Sequence, residues 1–585
     1  MSEAKWTGEQ LAAITEKGCN ILVAAAAGAG KTAVLVERII RKITDENNPV
    51  DIDRLLVVTF TNAAAAEMRE RIGDAIAKEI ERNPASRRLQ KQLTLLNRAS
   101  IMTIHSFCLE VIRNNFYLLD LDPNFRIADE TESMLLKMEA LEELFEQKYE
   151  KDALEDEFLE LIECFGGSRD DRTLQDMVIR LYDFVQSHPW PEKWLDDSTE
   201  AFNLEEGVDF SSTKWAKILV KSVNIELTGL LDKLGKAVKM MEGSKGFEPY
   251  IQVFNDDISI LGILARQTET FTSWDDLYNA FNGVEFKRLS RCAKDVDKDV
   301  QEYVKAVRNE VKERLKKISE EIFIFDSRSI AEDLRKLYPL MKCLTGLVKE
   351  FDRIYTEKKR NKFLLDFNDL EHLCLDILVE YDGDGIKPSN AALALKERFE
   401  EILIDEYQDS NLVQEIILNS ISRKGPNENN IFMVGDVKQS IYRFRQARPE
   451  LFLEKYNSYP QETGYGNRKI LLYKNFRSRK EILDGVNFVF SQIMSQNVGE
   501  LDYNENEALR PGLEYMQPDG GRICTGEIEV NIIDEECIDE AGENLDTDNG
   551  RQVVYNDISS RSGETEENGE DEEEPDVIQA EARII

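Results

Sequence analysis

Apolar positions along the chain follow two rhythms. In the first hundred residues, solid apolar runs of strand length occur at 20–24 (NILVA), 55–60 (LLVVTF) and 100–104 (SIMTI). Runs of this kind mark strands buried on both faces. Between them, 32–43 and the alanine-rich 63–80 carry apolar residues at helical spacing. This alternation predicts βαβ units, a parallel sheet covered by helices. From about 107 to 398 the rhythm changes to long charged stretches punctuated by leucine, such as 131–165 and 302–324, with apolar residues at i, i+3 and i+4. They predict a helical insertion whose Glu and Lys residues form solvated faces. The sheet rhythm returns at Ile402 (ILIDE), Ile431 (IFMVGD) and Lys469 (KILLY), so a single sheet is interrupted by the insertion.

Composition adds a further feature. The chain has 585 residues, 42% hydrophobic and 32% charged, which is ample material for large cores. Its net charge is −39, of which −16 falls within 534–576. That segment is Asp, Glu, Gly, Asn and Ser, and reads as a disordered acidic linker. Residues 577–585 read as the first turns of a helix without a stop signal. An acidic chain excludes bulk attraction to nucleic acid, so any strand binding has to use a local channel. Eight scattered cysteines without a CxxC pair give no zinc or cluster pattern. No apolar run reaches membrane-helix length and no signal peptide opens the chain, which predicts a cytoplasmic protein.

Residues 25–32 (AAAGAGKT) fit the phosphate loop GxxxxGK[ST] except that Ala25 stands for the first Gly. Ala25, Ala26, Ala27, Gly28, Ala29 and Gly30 let backbone N–H groups approach phosphates. Lys31 supplies charge and Thr32 a hydroxyl for Mg²⁺. The strand tip ILIDE then offers Asp405 for the metal and Glu406 as general base toward an attacking water. The implied ligands are ATP and Mg²⁺. The long separation of the two strings is what a large insertion produces.

Further strings are specific enough to name a resemblance. They are DEYQD (405–409), VGDVKQSIYRFR (434–445), TFTNAAAAEMR (59–69), NFRS (475–478) and DFNDL (366–370). In order and spacing they resemble the superfamily-one DNA helicases of the UvrD/Rep/PcrA type. Longer stretches, such as GCNILVAAAAGAGKTAVLVERI, are similar to the AddA family of AddAB-type helicase–nucleases. The resemblance implies a RecA-like α/β domain at 1–120 and 361–470, a 1B-like helical insertion at 121–360 and the start of a second RecA-like domain at 471–530, with the linker read from composition following at 531–576. It implies that Gln10 reads adenine and Phe476 stacks on it. Arg477 would be an arginine finger and Gln439 a γ-phosphate sensor, with Gln408 and Asp409 coupling nucleotide to DNA.

On the DNA side the resemblance points to Phe60, Thr61, Asn62, His105, Ser106, Tyr442, Phe444 and Arg445. Aromatics stack on bases of any identity, hydroxyls and amides reach the backbone, and Arg pairs with phosphate. The rival readings are core packing for Phe444 and a satisfied structural histidine for His105. Ala33, Ala63 and Gln446 depart from residues common in the wider family. The implied activity is an ATP-dependent DNA helicase, with 3′–5′ polarity, in double-strand break resection and recombinational repair. The implied partners are single- and double-stranded DNA and an AddB-type subunit. The family's later motifs and its nuclease carboxylates do not occur after Leu513, so a truncated product is expected. The alternative is a module that binds ATP and single strands without motor activity. With 470–530 short of apolar material, Arg477 is expected on a poorly supported element and hydrolysis by this chain is expected to be slow.

Overall fold

The computed structural model describes residues 6–513, apart from 120, 151–155, 168–169, 294–295, 382–384 and 427. The acidic stretch 534–576 and the terminal 577–585 lie outside the described residues.

Six strands form one sheet: β1 (Asn20–Ala25), β2 (Leu55–Thr59), β3 (Ser100–Thr103), β4 (Glu401–Ile404), β5 (Ile431–Gly435) and β6 (Asn467–Leu472). Their order is β6-β1-β5-β4-β2-β3, and every pairing is parallel. The α/β class read from the apolar runs is what the chain adopts. Alternate residues leave opposite faces, as the strand period requires. Leu22, Leu56, Val58, Ile402, Ile404 and Met433 join one core, with Phe107, Cys108, Leu370 and Val413 from the covering helices. Ile21, Val23, Val57, Leu403, Phe432 and Val434 join the other, with Leu35, Ile39, Met68 and Ile72. The KILLY run is the edge strand β6 of this same sheet, in register with β1.

Arg38 and Glu401 tie the two halves of the split sheet together. Arg38 is 1% exposed and Glu401 4%. The guanidinium donates to Glu401 at 2.5 Å and to Ala13 O at 2.7 Å, and lies 4.5 Å over the Phe432 ring. A buried pair of this kind holds only because both ions are fully partnered.

Between Glu130 and Asn361 the regular elements are helical, from Glu130–Glu150 to the 35-residue Ser327–Asn361. Chain exit and return are clamped by a short parallel ladder, Arg126–Ile127 on Leu364–Leu365. The helices enclose two cores. One gathers Leu136, Leu144, Val178, Leu344, Phe351 and Tyr355. The other gathers Val220, Leu227, Phe254, Trp274, Val311 and Phe323. Ser327–Asn361 serves both: Ile330 and Leu334 pack on the second, Leu340 onward on the first. Pro339 sits between them, where its ring removes one intrahelical hydrogen bond.

Candidate nucleotide site and strand cleft

The 25–32 loop leaves the tip of β1. Ala25 is still in the ladder, opposite Leu472, and is 1% exposed. That position needs no glycine conformation, which accounts for alanine there. Positive φ is required at Gly28 (69°) and Gly30 (83°). Gly30 caps helix Lys31–Thr44 without a side-chain hydrogen bond, so the first-turn N–H groups face outward as an anion cradle. Gln10 braces the loop from one side. Its Oε1 accepts from Thr7 N at 3.0 Å and its Nε2 donates to Ala29 O at 3.1 Å.

Asn475 braces it from the other. Its Nδ2 donates to Ala27 O at 2.8 Å, and Phe476 N donates to Gly28 O at 2.9 Å. Asn475 Oδ1 in turn accepts from Arg477 N at 2.7 Å and Ser478 N at 2.8 Å. Leu483 of helix Lys480–Ile493, with Leu509 further along the chain, adds apolar support on Ala26. The NFRS segment is therefore firmly clasped to the loop, contrary to the poor support expected from its sparse apolar content. The signal that decides it is a single polar residue. The Arg477 side chain is exposed and Phe476 half-buried.

Beyond β4, Asp405 N continues the ladder to Val58 O, and Glu406 turns into the left-handed region with φ 51°. For a non-glycine residue this is uncommon and costs energy. The turn brings Glu406 Oε2 to 2.8 Å from Lys31 Nζ. Gln408, 1% exposed, donates to Glu406 Oε2 at 2.9 Å and Asp409 Oδ2 at 3.2 Å, and accepts from Asp436 N at 3.0 Å. Gln439 donates to Asp436 Oδ2 at 2.9 Å. Burial, and then the Glu406 charge, push the Asp405 carboxyl up to about 6; the same two causes push Asp409 up to about 6. Asp409 Oδ1 is buried without a hydrogen-bond partner. Thr32 is the second residue of the helix Lys31–Thr44. Among the described residues, no three His, Cys, Asp or Glu side chains gather as a metal site.

Asp405, Glu406 and Asp409 open onto a cleft of about 950 Å³ that also meets Phe60, Thr61, His105, Tyr442, Phe444 and Arg445. The Phe60 and Tyr442 rings lie 4.6 Å apart and Tyr442 and Phe444 5.8 Å, with the Arg445 guanidinium 5.6 Å from both of the latter. Phe444 is 72% exposed, so it is not a core residue. Two expected members stand apart from the cleft lining. Asn62 is exposed at the start of helix Asn62–Arg82, and the Ser106 hydroxyl is shared with Thr103 Oγ1 at 2.9 Å. Thr61 caps that helix through Ala64 N. Gln446 adopts φ 61°, a left-handed conformation that a glycine would take without strain.

The opposite wall comes from helix Phe367–Leu378. Its N-cap Asp366 and Asp369 form a capping box, both gripped by the buried Lys359 at 2.9 and 2.7 Å. This anchor presents Phe367, 56% exposed, to the cleft, edge-on to His105 at 5.5 Å. His105 Nε2 lies 3.2 Å from Glu371, a buried carboxylate that also accepts from Asn411 and Gln414. Burial raises the Glu371 carboxyl, but these donors, His105 first, hold it below its ordinary value. Phe367 and Glu371 were not singled out from sequence. A bare Phe among Asp and Asn in DFND was the available signal. His188 instead stacks on Trp194, and His372 meets Gln186 O at 2.8 Å; both are packing histidines.

The UvrD/REP helicase N-terminal domain model matches residues 6–460. The chain belongs to this family. Among curated relatives, an ATP-dependent helicase/nuclease subunit from Acetivibrio thermocellus is 53% identical across 100% of this chain and 46% of its own length. Proteins of the same name from Ruminiclostridium cellulolyticum and Clostridium novyi are 55% and 54% identical, over 93% and 91% of this chain and 44% and 43% of theirs. The chain thus spans less than half the length of these UvrD/REP-family relatives. The family match contains the phosphate loop, the DEYQD turn and the aromatic cleft, and stops short of Asn475. No described helix is long and apolar enough to cross a membrane.

Proposed function

We propose that this chain is the ATPase and strand-gripping part of an ATP-dependent DNA helicase of a helicase–nuclease complex. The observation that carries the reading is the shared cleft: the carboxylates beyond β4 and the clustered aromatics line one cavity, and Gln408 donates to two of those carboxylates, Glu406 and Asp409. The triphosphate lies on the first-turn N–H groups, with Lys31 leaving Glu406 for the phosphate charge. Gln10 keeps a free amide hydrogen beyond its bond to Ala29 O, available to adenine, against which Phe476 stacks. Glu406, released from Lys31, accepts the proton of the water that attacks in line. Thr32 and Asp405 are the hard oxygen donors that suit Mg²⁺, which when bound neutralises phosphate charge. Arg477 and Gln439 meet the γ-phosphate from the far side, and Asp409 couples the change to the strand.

Phe60, Tyr442, Phe444 and Phe367 take successive bases without regard to sequence, and Arg445 takes a phosphate. This suits an acidic chain, because grip comes from stacking within a channel rather than from bulk charge. The names of the relatives, together with the family resemblance, extend the proposal to 3′–5′ movement, break resection in recombinational repair, an AddB-type partner and a cytoplasmic location. The test is ATP hydrolysis with and without oligo(dT), in the chain and in Lys31→Ala. Strand-stimulated turnover that Lys31→Ala abolishes supports the proposal. Turnover indifferent to both rejects it.

A further inference from the structure

One buried carboxylate outside every recognised motif reaches the site. Glu507 lies on the turn after Asn504 and is 7% exposed. Its Oε2 accepts from Lys438 Nζ at 2.8 Å, and its Oε1 accepts the Tyr456 hydroxyl. Lys438 also meets Asp436 Oδ1 at 2.9 Å. The Lys438–Glu507 pair is 14% and 8% exposed, so each charge depends on the other for solvation. Burial works against the Lys438 charge, yet Asp436 and Glu507 hold its pKa above the ordinary value.

From Asp436 the contacts continue inward. Its N–H donates to Gln408, Gln408 donates to Glu406, and Glu406 faces Lys31. From Glu507 they continue along its own segment. Arg510 N donates to Tyr473 O at 3.2 Å, Gly512 N donates to Asn475 O at 2.7 Å, and Arg510–Pro511 pair with Lys474–Asn475. Asn475 is the residue clasped to the phosphate loop. Glu507 is thus where the segment carrying Arg477 is bolted to the strand tip that orients Gln408.

We propose that Glu507 is a positioning residue for hydrolysis: through Lys438 and Asp436 it sets Gln408 and Glu406, and through 510–512 it holds the Arg477 segment in register with them. The proposal rests on the nucleotide-site reading above. Its value is geometric, since both the base and the finger depend on preorganisation. A neutral amide at 507 keeps the shape but removes the charge that fixes Lys438.

The test uses Glu507→Gln, Lys438→Met and the double variant in the 585-residue chain. For Glu507→Gln the expected result is a chain that stays folded with a lowered melting temperature, since Lys438 keeps only Asp436 as its counter-charge, and amides of Asp436 and 476–478 exchanging about tenfold faster or more. With oligo(dT), kcat for ATP hydrolysis should fall about tenfold while KM changes less than about twofold, the sign of misplaced reacting groups rather than weaker binding. The double variant should be no worse than either single, because the two residues act as one unit. Additive losses, a drop in melting temperature with kcat intact, or unchanged exchange would each overturn the proposal. If hydrolysis proves indifferent to Lys31→Ala, the nucleotide-site reading is what fails. The exchange measurement still decides the Glu507 linkage in that event.

Discussion

Replacing Gly28 by Ala puts the Asn475 clasp under direct strain. Gly28 has φ 69°, and a Cβ built on it lies 2.6, 2.8 and 2.9 Å from Asn475 Nδ2, Cγ and Oδ1. Holding an L-residue in the left-handed region costs roughly 1–2 kcal/mol. The Asn475 amide then has to move, which breaks its bonds to Ala27 O, Arg477 N and Ser478 N. At about 0.5–1.5 kcal/mol net each, the clasp loses roughly 2–4 kcal/mol. Most of this is local, because 475–478 can lift away without opening the sheet. The expected outcome is a fall of a few degrees in melting temperature, from the backbone term. Exchange at the amides of 476–478 should accelerate by about 10²-fold, with roughly a factor of ten for each 1.4 kcal/mol. Asn475→Ala should show the same exchange without the backbone penalty, and the double variant should add little. Hydrogen exchange read by mass spectrometry separates the two terms. Unchanged exchange at 476–478 in a folded Gly28→Ala chain would refute the clasp.

The remaining expectations concern chemistry and grip. Glu406→Gln should retain ATP binding yet lower turnover about 10²-fold or more, the scale of a lost general base, whereas Asp405→Ala should chiefly raise the Mg²⁺ requirement; equal losses of binding in both would erase the division of roles. Phe444→Ala should weaken oligo(dT) binding by about 1–3 kcal/mol with ATP affinity unchanged, read by fluorescence titration. Asp405 sits at about 6, above its ordinary 3.8, so the folded chain takes up that proton as pH falls through 6. Its share of stability therefore rises from pH 7 to 4, opposite to Glu401, whose depressed value costs stability as acid protonates it. Hydrolysis should fall below about pH 6 and be partly restored by more Mg²⁺, which competes with the proton; a pH–rate profile identical at low and high Mg²⁺ would contradict this.

The apolar runs at 20–24, 55–60, 402–404 and 431–434 were legible as strands because a sheet covered on both faces leaves no polar alternation to confuse the reading. The phosphate loop and DEYQD were legible as local strings. What escaped was everything made by distant partners. Asn475 reaches Ala27 across 448 residues, and Arg38 reaches Glu401 across 363. No periodicity encodes such pairs. Apolar content therefore understates the support for Arg477, which the Asn475 amide, the Phe476 N–Gly28 O bond and one short ladder supply. Similarly, Ser106 has the right chemistry for a phosphate, yet its hydroxyl is shared with the helix cap Thr103. Phe367 lies within the DFNDL string, but what turns it to the cleft is Lys359 and the capping box.

The most direct test of the account is whether the nucleotide site and the strand cleft share one free energy. Affinity for fluorescent oligo(dT) is measured with and without a non-hydrolysable ATP analogue, in the chain and in Gln408→Ala. The account predicts that the analogue shifts strand affinity by roughly 5–150-fold, that the strand shifts analogue affinity by the same factor, and that Gln408→Ala collapses both. Two sites that bind with full strength but ignore each other would contradict it.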